Sequence, residues 1–308
     1  MIVMLACITA SAENLNSVTI IYNTDEGVLQ NAEFDLYRIG SISGSVVNPD
    51  SKFADYSVNF NIADSDAVSA LAETIGAYAL RDKIQPDHSD TTDDNGIADF
   101  DDIQLPDGAY LCIGTKHTQY GYIYFCKPTI ILLKNGANVA LEPKYEKTDT
   151  TTDIKVRYKV LKAWYTDEEI LKPVEIEVQL LCDGEVYDTV TLNESNNWKF
   201  EWKGLSSHHA WTITEKFIPE GFVASLQKDS GVFLLSNINP DTETTTQPDE
   251  TTTVPDETTS VPETTTKGEG LPQSGALSWP IPYLACIGVF LFIAGYAIYR
   301  KSEITDEQ

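Results

Sequence analysis

The sequence predicts an all-β protein of two consecutive β-sandwich domains, the first with one inserted helix, and three observations carry this. Short runs alternating apolar and polar residues recur at even spacing from Ser17 to Ile238, with turn residues between them. Regular alternation of strand and helix is absent, which disfavours a parallel α/β sheet. The chain also holds 15 Tyr and 11 Phe against 2 Met, a composition suited to pleated, half-buried surfaces.

The elements follow in order. Residues 1–12, MIVMLACITASA, form an apolar run ending in Ala10-Ser11-Ala12, which matches the remnant of a secretory signal peptide. The first domain spans 14–147. Its SVTIIY and AEFDLYRIG alternate about the turn NTDEG and predict a hairpin. Ala67, Val68, Ala70, Leu71, Ile75, Ala79 and Leu80 fall at helical spacing, with Asp64 or Ser65 as cap. TTDDNGIADFDDIQLPDGAYLCIG then gives short strands between Asn-Gly and Pro-Asp-Gly turns, and GYIYFCKPTIILL and NVALEPK complete the set. EKTDTTTD reads as a polar joint.

The second domain, 152–240, contains IKVRYKVLKAWY, VEIEVQLLCDGE, EVYDTVTL, NWKFEWKGL, HAWTITEKF and GVFLLSNI as strands. From 241 to 270 the chain is Thr, Pro and acid, with Pro248, Pro255 and Pro262 seven residues apart. Such a segment has too little apolar surface to fold and acts as a disordered, extended stalk. Residues 271–275 read LPQSG, 281–299 are almost wholly apolar, and 300–308 begin with Arg300-Lys301. The apolar run nearly spans a bilayer and the basic pair would hold its end inside, so a membrane-spanning precursor is expected.

With 47 acidic against 21 basic residues the net charge is -26, which excludes nucleic acid and anionic membrane surfaces as main partners. No phosphate loop, dinucleotide fingerprint, nucleophile elbow, HExxH or CxxC pair is present, so neither an ordinary enzyme nor a cofactor is expected. Asp93, Asn95, Gly96, Asp99 and Asp102 have spacings close to a calcium loop, but an acidic hairpin turn is the favoured reading. His208 and His209 adjoin, and neighbours on a strand face opposite sides, so no metal site is expected. Of the five cysteines, Cys7 and Cys286 lie in the terminal apolar segments. Cys112 and Cys126 either pair across a hairpin or are small buried hydrophobes, as Cys182 would also be.

Three resemblances sharpen this reading. Leu271, Pro272, Ser274 and Gly275, followed by the apolar run and the basic pair, resemble the LPxTG sorting signal of proteins handled by Gram-positive sortases, with Ser274 in place of Thr. The resemblance implies cleavage between Ser274 and Gly275 and transfer of Ser274 to an amine, making the membrane segment a tag rather than an anchor. KAWYTDEE, VEIEVQLLCDGE, LNESNNWKFEWKGL, TITEKFIPEGF and FLLSNI resemble, in order, the B-type repeat of collagen adhesins (Cna-B). That family implies an intramolecular amide between Lys162 and Asn237, with Glu215 shuttling protons. Burial suits that chemistry because it disfavours the charged forms of both Lys and Glu.

AEFDLYRIG, the helix around ALAETIGAYAL, and DDNGIADFDDIQLPDGAYL resemble the N-terminal domain of sortase-assembled pilins. Val-Ala-Leu-Glu-Pro-Lys, 139–144, is similar to the pilin motif whose lysine, here Lys144, accepts another subunit's sorting signal. Tyr22 and Gly114 stand near where that domain's own Lys and Glu would be. Together the resemblances imply a structural protein secreted to the cell wall of a Gram-positive bacterium and joined by sortase to peptidoglycan or to other pilin subunits. A basal or minor pilin is the first expectation, and a monomeric wall-anchored adhesin binding host matrix or glycan is the alternative.

Overall fold

The computed structural model describes residues 15–100, 105–166 and 172–240. The expected signal remnant, stalk, sorting motif, membrane segment and tail lie outside these residues. Among the described residues no helix is long and apolar enough to cross a membrane.

The first half runs β1 (Ser17–Ile21), β2 (Asn23–Thr24), β3 (Gly27–Val28), β4 (Glu33–Ser43), β5 (Val46–Pro49), α1 (Ser65–Arg81), β6 (His88–Thr91), β7 (Ile97–Asp99), β8 (Gly108–Gly114), β9 (His117–Gln119), β10 (Tyr122–Cys126), β11 (Thr129–Leu133), β12 (Asn138–Leu141) and β13 (Tyr145–Asp149). The second half runs β14 (Lys155–Tyr165), β15 (Glu175–Cys182), β16 (Glu185–Asn193), β17 (Lys199–Ser206), β18 (Trp211–Glu215), β19 (Val223–Asp229) and β20 (Val232–Ile238). The fold is therefore mostly β with one inserted α-helix, as the alternation predicts.

In the second half a four-stranded sheet, β17-β14-β20-β19, faces a three-stranded sheet, β16-β15-β18. Val160, Val178, Leu180, Trp202, Ile213 and Phe233 fill the space between them. The first strand, β14, pairs in parallel with the last, β20, so the sandwich is closed by residues far apart in sequence. In the first half β1 likewise pairs in parallel with a strand late in the sequence, β12, the last but one. Its core holds Tyr22, Phe34 and Tyr124, and a second cluster under α1 holds Phe53, Leu71, Ile75 and Tyr78.

Helix α1 begins where Asp64, in extended conformation, accepts hydrogen bonds from the amides of Asp66 and Ala67, satisfying two of the free donors of the first turn. Asp66 in the first turn and Arg81 in the last both complement the helix dipole. Small residues line the helix, which packs against β8 and β11 on one side and β18 and β19 on the other. At Gly76 an added Cβ would lie 3.1 Å from Pro128, so glycine permits the close approach to the first-half sheet. Ala77, on the same helix, belongs to the core of the second half.

Three local expectations differ from the structure. SVTIIY and AEFDLYRIG are not hairpin partners: NTDEG closes only the two-residue pairing of β2 with β3, while β1 joins β7 and β12, and β4 joins β5, β6 and β8. The short turn returns the chain too early, and the apolar faces of β1 and β4 are buried in opposing sheets. EKTD is not a free joint, because Tyr145–Asp149 pairs antiparallel with β10. Backbone hydrogen bonds hold it there without an apolar face. Strand β19, which sequence inspection passes over, buries Ala224 and Leu226 at alternate positions. Its first residues also bond to the first half, Ala224 N to Ser57 O at 2.8 Å and Asn59 N to Ala224 O at 2.9 Å.

Candidate functional site

Lys162 and Asn237 meet because of the parallel closure. In the register of β14 with β20, Lys162 stands opposite Leu235 and Trp164 opposite Asn237. Residues two apart on a strand share a face, so Lys162, Trp164 and Asn237 all belong to one side of this sheet. Glu215 reaches the same interior from the facing sheet, at the end of β18, where it pairs with Val178. Three residues separated by 53 and 22 positions thus converge between the two layers.

The site is dry. Glu215 and Asn237 are 0% exposed and Lys162 is 9% exposed, values that charged and amide side chains reach only when they serve one another. Asn237 Nδ2 donates to Glu215 Oε2 at 2.8 Å. Lys162 Nζ donates to the Ala163 carbonyl at 2.7 Å and lies 3.8 Å from the centre of the Trp164 ring. Glu215 Oε1 and Asn237 Oδ1 are buried and carry no hydrogen bond in the described structure. Such orphaned acceptors are costly, and a proton carried on Glu215 would satisfy one of them.

Burial drives the two ionisable groups toward each other. It pushes the Lys162 ammonium down, against the opposing pull of the Glu215 charge and with a smaller push from Lys172. It pushes the Glu215 carboxyl up, against Lys162 and the hydrogen bond from Asn237. A proton can therefore move between them near neutrality, leaving a neutral amine and a neutral acid. A neutral amine is a nucleophile, and an acid beside the Asn237 amide can polarise it and protonate the departing nitrogen.

Outer support comes from residues with no sequence signal. Arg81 Nη1 and Tyr78 Oη of α1 donate to the Glu215 carbonyl at 2.9 and 3.3 Å. Leu226 N of β19 donates to Thr74 Oγ1 at 2.7 Å. The helix thus covers the outer side of the strand that carries Glu215. Only Trp164 had a local cue, being two residues beyond Lys162 on the same strand.

Among the described residues of the first half, aromatic packing takes the positions where a triad would stand. Tyr22 is 1% exposed and sits edge-on to Phe34, Tyr145 and Tyr124 at ring separations of 5.5, 5.8 and 6.4 Å. At Gly114 a Cβ would meet Phe34 and Cys126 at 2.8 and 2.9 Å, so aromatic packing fills that space. Cys112 and Cys126 are free thiols. Lys144 is exposed between β12 and β13, away from the triad. Leu271, Pro272, Ser274 and Gly275 lie outside the described residues. Asp93 accepts from the amides of Asn95 and Ile97 at 2.8 and 2.9 Å, and Asp102 is outside the described residues.

The family of Cna protein B-type domains matches residues 158–238, a stretch holding all three triad residues. No curated protein matches the chain. Among solved structures, a single B repeat unit of the collagen-binding surface protein of Staphylococcus aureus is 17% identical, with 73% of this chain and 97% of that chain covered and a TM-score of 0.27. The minor pilin of Streptococcus agalactiae is 15% identical, covering 76% and 100%, with a TM-score of 0.25. The shaft pilin of Lactobacillus rhamnosus GG is 14% identical, covering 72% and 98%, with a TM-score of 0.25.

Proposed function

We propose that this chain is a load-bearing surface protein of a Gram-positive cell wall, a pilin subunit or pilin-like protein in a basal or minor position, whose second domain cross-links itself. The observation that carries the reading is the Lys162, Glu215, Asn237 cluster, buried between the sheets within the B-type match. In the reaction, neutral Lys162 Nζ attacks Asn237 Cγ and forms the new amide bond. Protonated Glu215 gives its proton to Nδ2 and takes the one that the attacking nitrogen sheds, and the Cγ–Nδ2 bond breaks to release ammonia. The side-chain atoms balance as amine plus amide giving amide plus ammonia, with no oxidant or cofactor required.

The bond would join the first strand of the module to its last. Tension entering at one end of the sandwich would then cross a covalent link instead of peeling β14 from β20. Sortase cleavage after Ser274 would tether the C-terminal end to peptidoglycan, with 241–270 as a spacer, and Lys144 would accept the sorting signal of another subunit. In wall extracts of the native producer resolved by denaturing electrophoresis, a high-mass ladder containing this chain is expected, and Lys144→Ala should collapse it to one anchored band. A wild-type chain found only as a single anchored band would leave a monomeric adhesin or a basal unit outside the polymer. A ladder that survives Lys144→Ala would remove Lys144 from the assembly.

A further inference from the structure

A second cluster of chemically capable side chains lies outside the triad. Cys182 ends β15, and Asp183 follows in the left-handed region at φ 49° with Gly184 at φ 87°. This tight turn takes Asp183 off the strand's alternation, so its carboxylate is free of the opposite-face rule that separates strand neighbours. His209 arrives from the segment before β18. Asp183 and Ala210 lock the two segments together, Asp183 N to Ala210 O at 2.9 Å and Ala210 N to Asp183 Oδ1 at 2.8 Å. The result is one thiol sulfur, one carboxylate oxygen and one imidazole nitrogen within 4.8 Å of one another.

We propose that Cys182, Asp183 and His209 form a Zn²⁺ site on the wall of the cleft between the two halves, gated by Lys116. Sulfur, nitrogen and oxygen donors of this kind are those Zn²⁺ takes, at roughly 2.0–2.3 Å in tetrahedral geometry. That geometry sets donor separations of about 3.5 Å; the ligand atoms lie within 4.8 Å of one another and Asp183 Oδ2 and His209 Nδ1 only 2.6 Å apart, so side-chain rotations of about 1 Å, opening that pair and drawing in the sulfur, would reach it. Three protein ligands leave one position open, as in zinc sites that bind water or an external ligand. Asp183 and His209 both line a cleft of about 650 Å³ whose other wall includes Lys116, Phe125 and Pro128. The ligand set therefore borders a space large enough for a small molecule or a peptide side chain.

Without metal, Asp183 Oδ2 accepts from Lys116 Nζ of the first half and from His209 Nδ1, both at 2.6 Å. Lys116 is the competitor for the metal. Its side chain is 38% exposed and can swing into solvent at the small cost typical of such pairs. Loading would release the Cys182 thiol proton to solvent, take a neutral His209 as ligand and break this ion pair between the halves. Metal binding and the Lys116 contact are mutually exclusive, so the site would couple metal availability to how firmly this edge of the cleft is held.

The test is a titration of the reduced, purified protein with Co²⁺ as a spectroscopic stand-in, followed by displacement with Zn²⁺. A thiolate-to-cobalt charge-transfer band saturating at one equivalent is expected, and it should disappear on adding Zn²⁺. Cys182→Ser and His209→Gln should abolish the band, while Cys112→Ser and Cys126→Ser should keep it. His209 is partly exposed, so its variant tests the site even if the Cys182 variant misfolds. Lys116→Ala should tighten Co²⁺ binding by up to about fivefold, the factor equivalent to an exposed ion pair. Absence of a thiolate band at saturating Co²⁺, or its persistence in His209→Gln, overturns the site. Unchanged affinity in Lys116→Ala overturns the gating.

Discussion

Replacing Glu215 by Gln changes one buried carboxyl to an amide of nearly the same shape, and it separates packing from chemistry. The variant keeps a side chain that can bond Asn237 but has no group that can accept and return a proton. The wild-type chain should weigh one ammonia less than its sequence requires, and Glu215→Gln should carry its full mass. Lys162 and Asn237 are 75 residues apart (237 − 162), and closing a loop of that size stabilises a fold by roughly 4–5 kcal/mol through the unfolded chain, on the relation used for disulfides. The unfolding entropy of about 2.1 cal/mol/K per residue converts this to a change in melting temperature. If the second half, 152–240, unfolded alone, the loss would be about 20 °C. If 15–240 unfolds as one unit, it would be about 10 °C. The hydrogen bonds from α1 to Glu215 and from β19 to the first half favour the smaller shift. Intact-mass spectrometry and calorimetry on the same samples read both quantities. A fully folded wild type with uncorrected mass, or a Glu215→Gln variant that still loses ammonia, would refute the reasoning.

The remaining predictions address the surroundings. Lys162→Met leaves Glu215 buried without a cation, and its carboxyl, already raised above the usual carboxylate range by burial, binds its proton more tightly folded than unfolded. Stability of that variant is then fully present below the unfolded value and falls as pH rises through about 4.5 to 7, by up to about 1.4 kcal/mol per pH unit; melting temperatures that rise over this range would contradict the burial argument. Arg81→Ala removes a partly buried, charge-assisted bond to the Glu215 carbonyl and should cost about 2 kcal/mol, with calorimetry showing the two halves beginning to melt separately; an unchanged single transition would mean that α1 does not couple them. Mature protein released by wall digestion should end at Ser274, and detergent-soluble mature chains still containing Tyr283 to Arg300 would overturn cleavage there.

The sequence by itself determined the strand content and the presence of the helix, narrowed its cap to Asp64 or Ser65, and singled out Lys162, Glu215 and Asn237 by resemblance. Those signals are local: period-two burial in runs such as EIEVQLLC, helical spacing of Ala70, Leu71 and Ile75, and short motifs around Lys162, Glu215 and Asn237. Motif order singled out these three residues, but only the tertiary structure shows that they meet in a dry interior, because dryness is a property of what surrounds a residue. Lys162, Glu215 and Asn237 lose water through the parallel closure of β14 on β20 and the facing sheet, contacts spanning 53 and 22 residues of sequence. Partner choice was equally hidden. SVTIIY pairs with β7 and β12 instead of AEFDLYRIG, because alternation specifies a buried face without saying which strand shares its hydrogen bonds. The two faces of α1 were invisible for a related reason: alanine and glycine are compatible with almost any neighbour, so their burial against the second half appears only when both halves are packed. Cys182, Asp183 and His209 show the limit most plainly, since two neighbours and one residue 26 positions on become a ligand set only through a left-handed turn at Asp183 and its hydrogen bonds to Ala210.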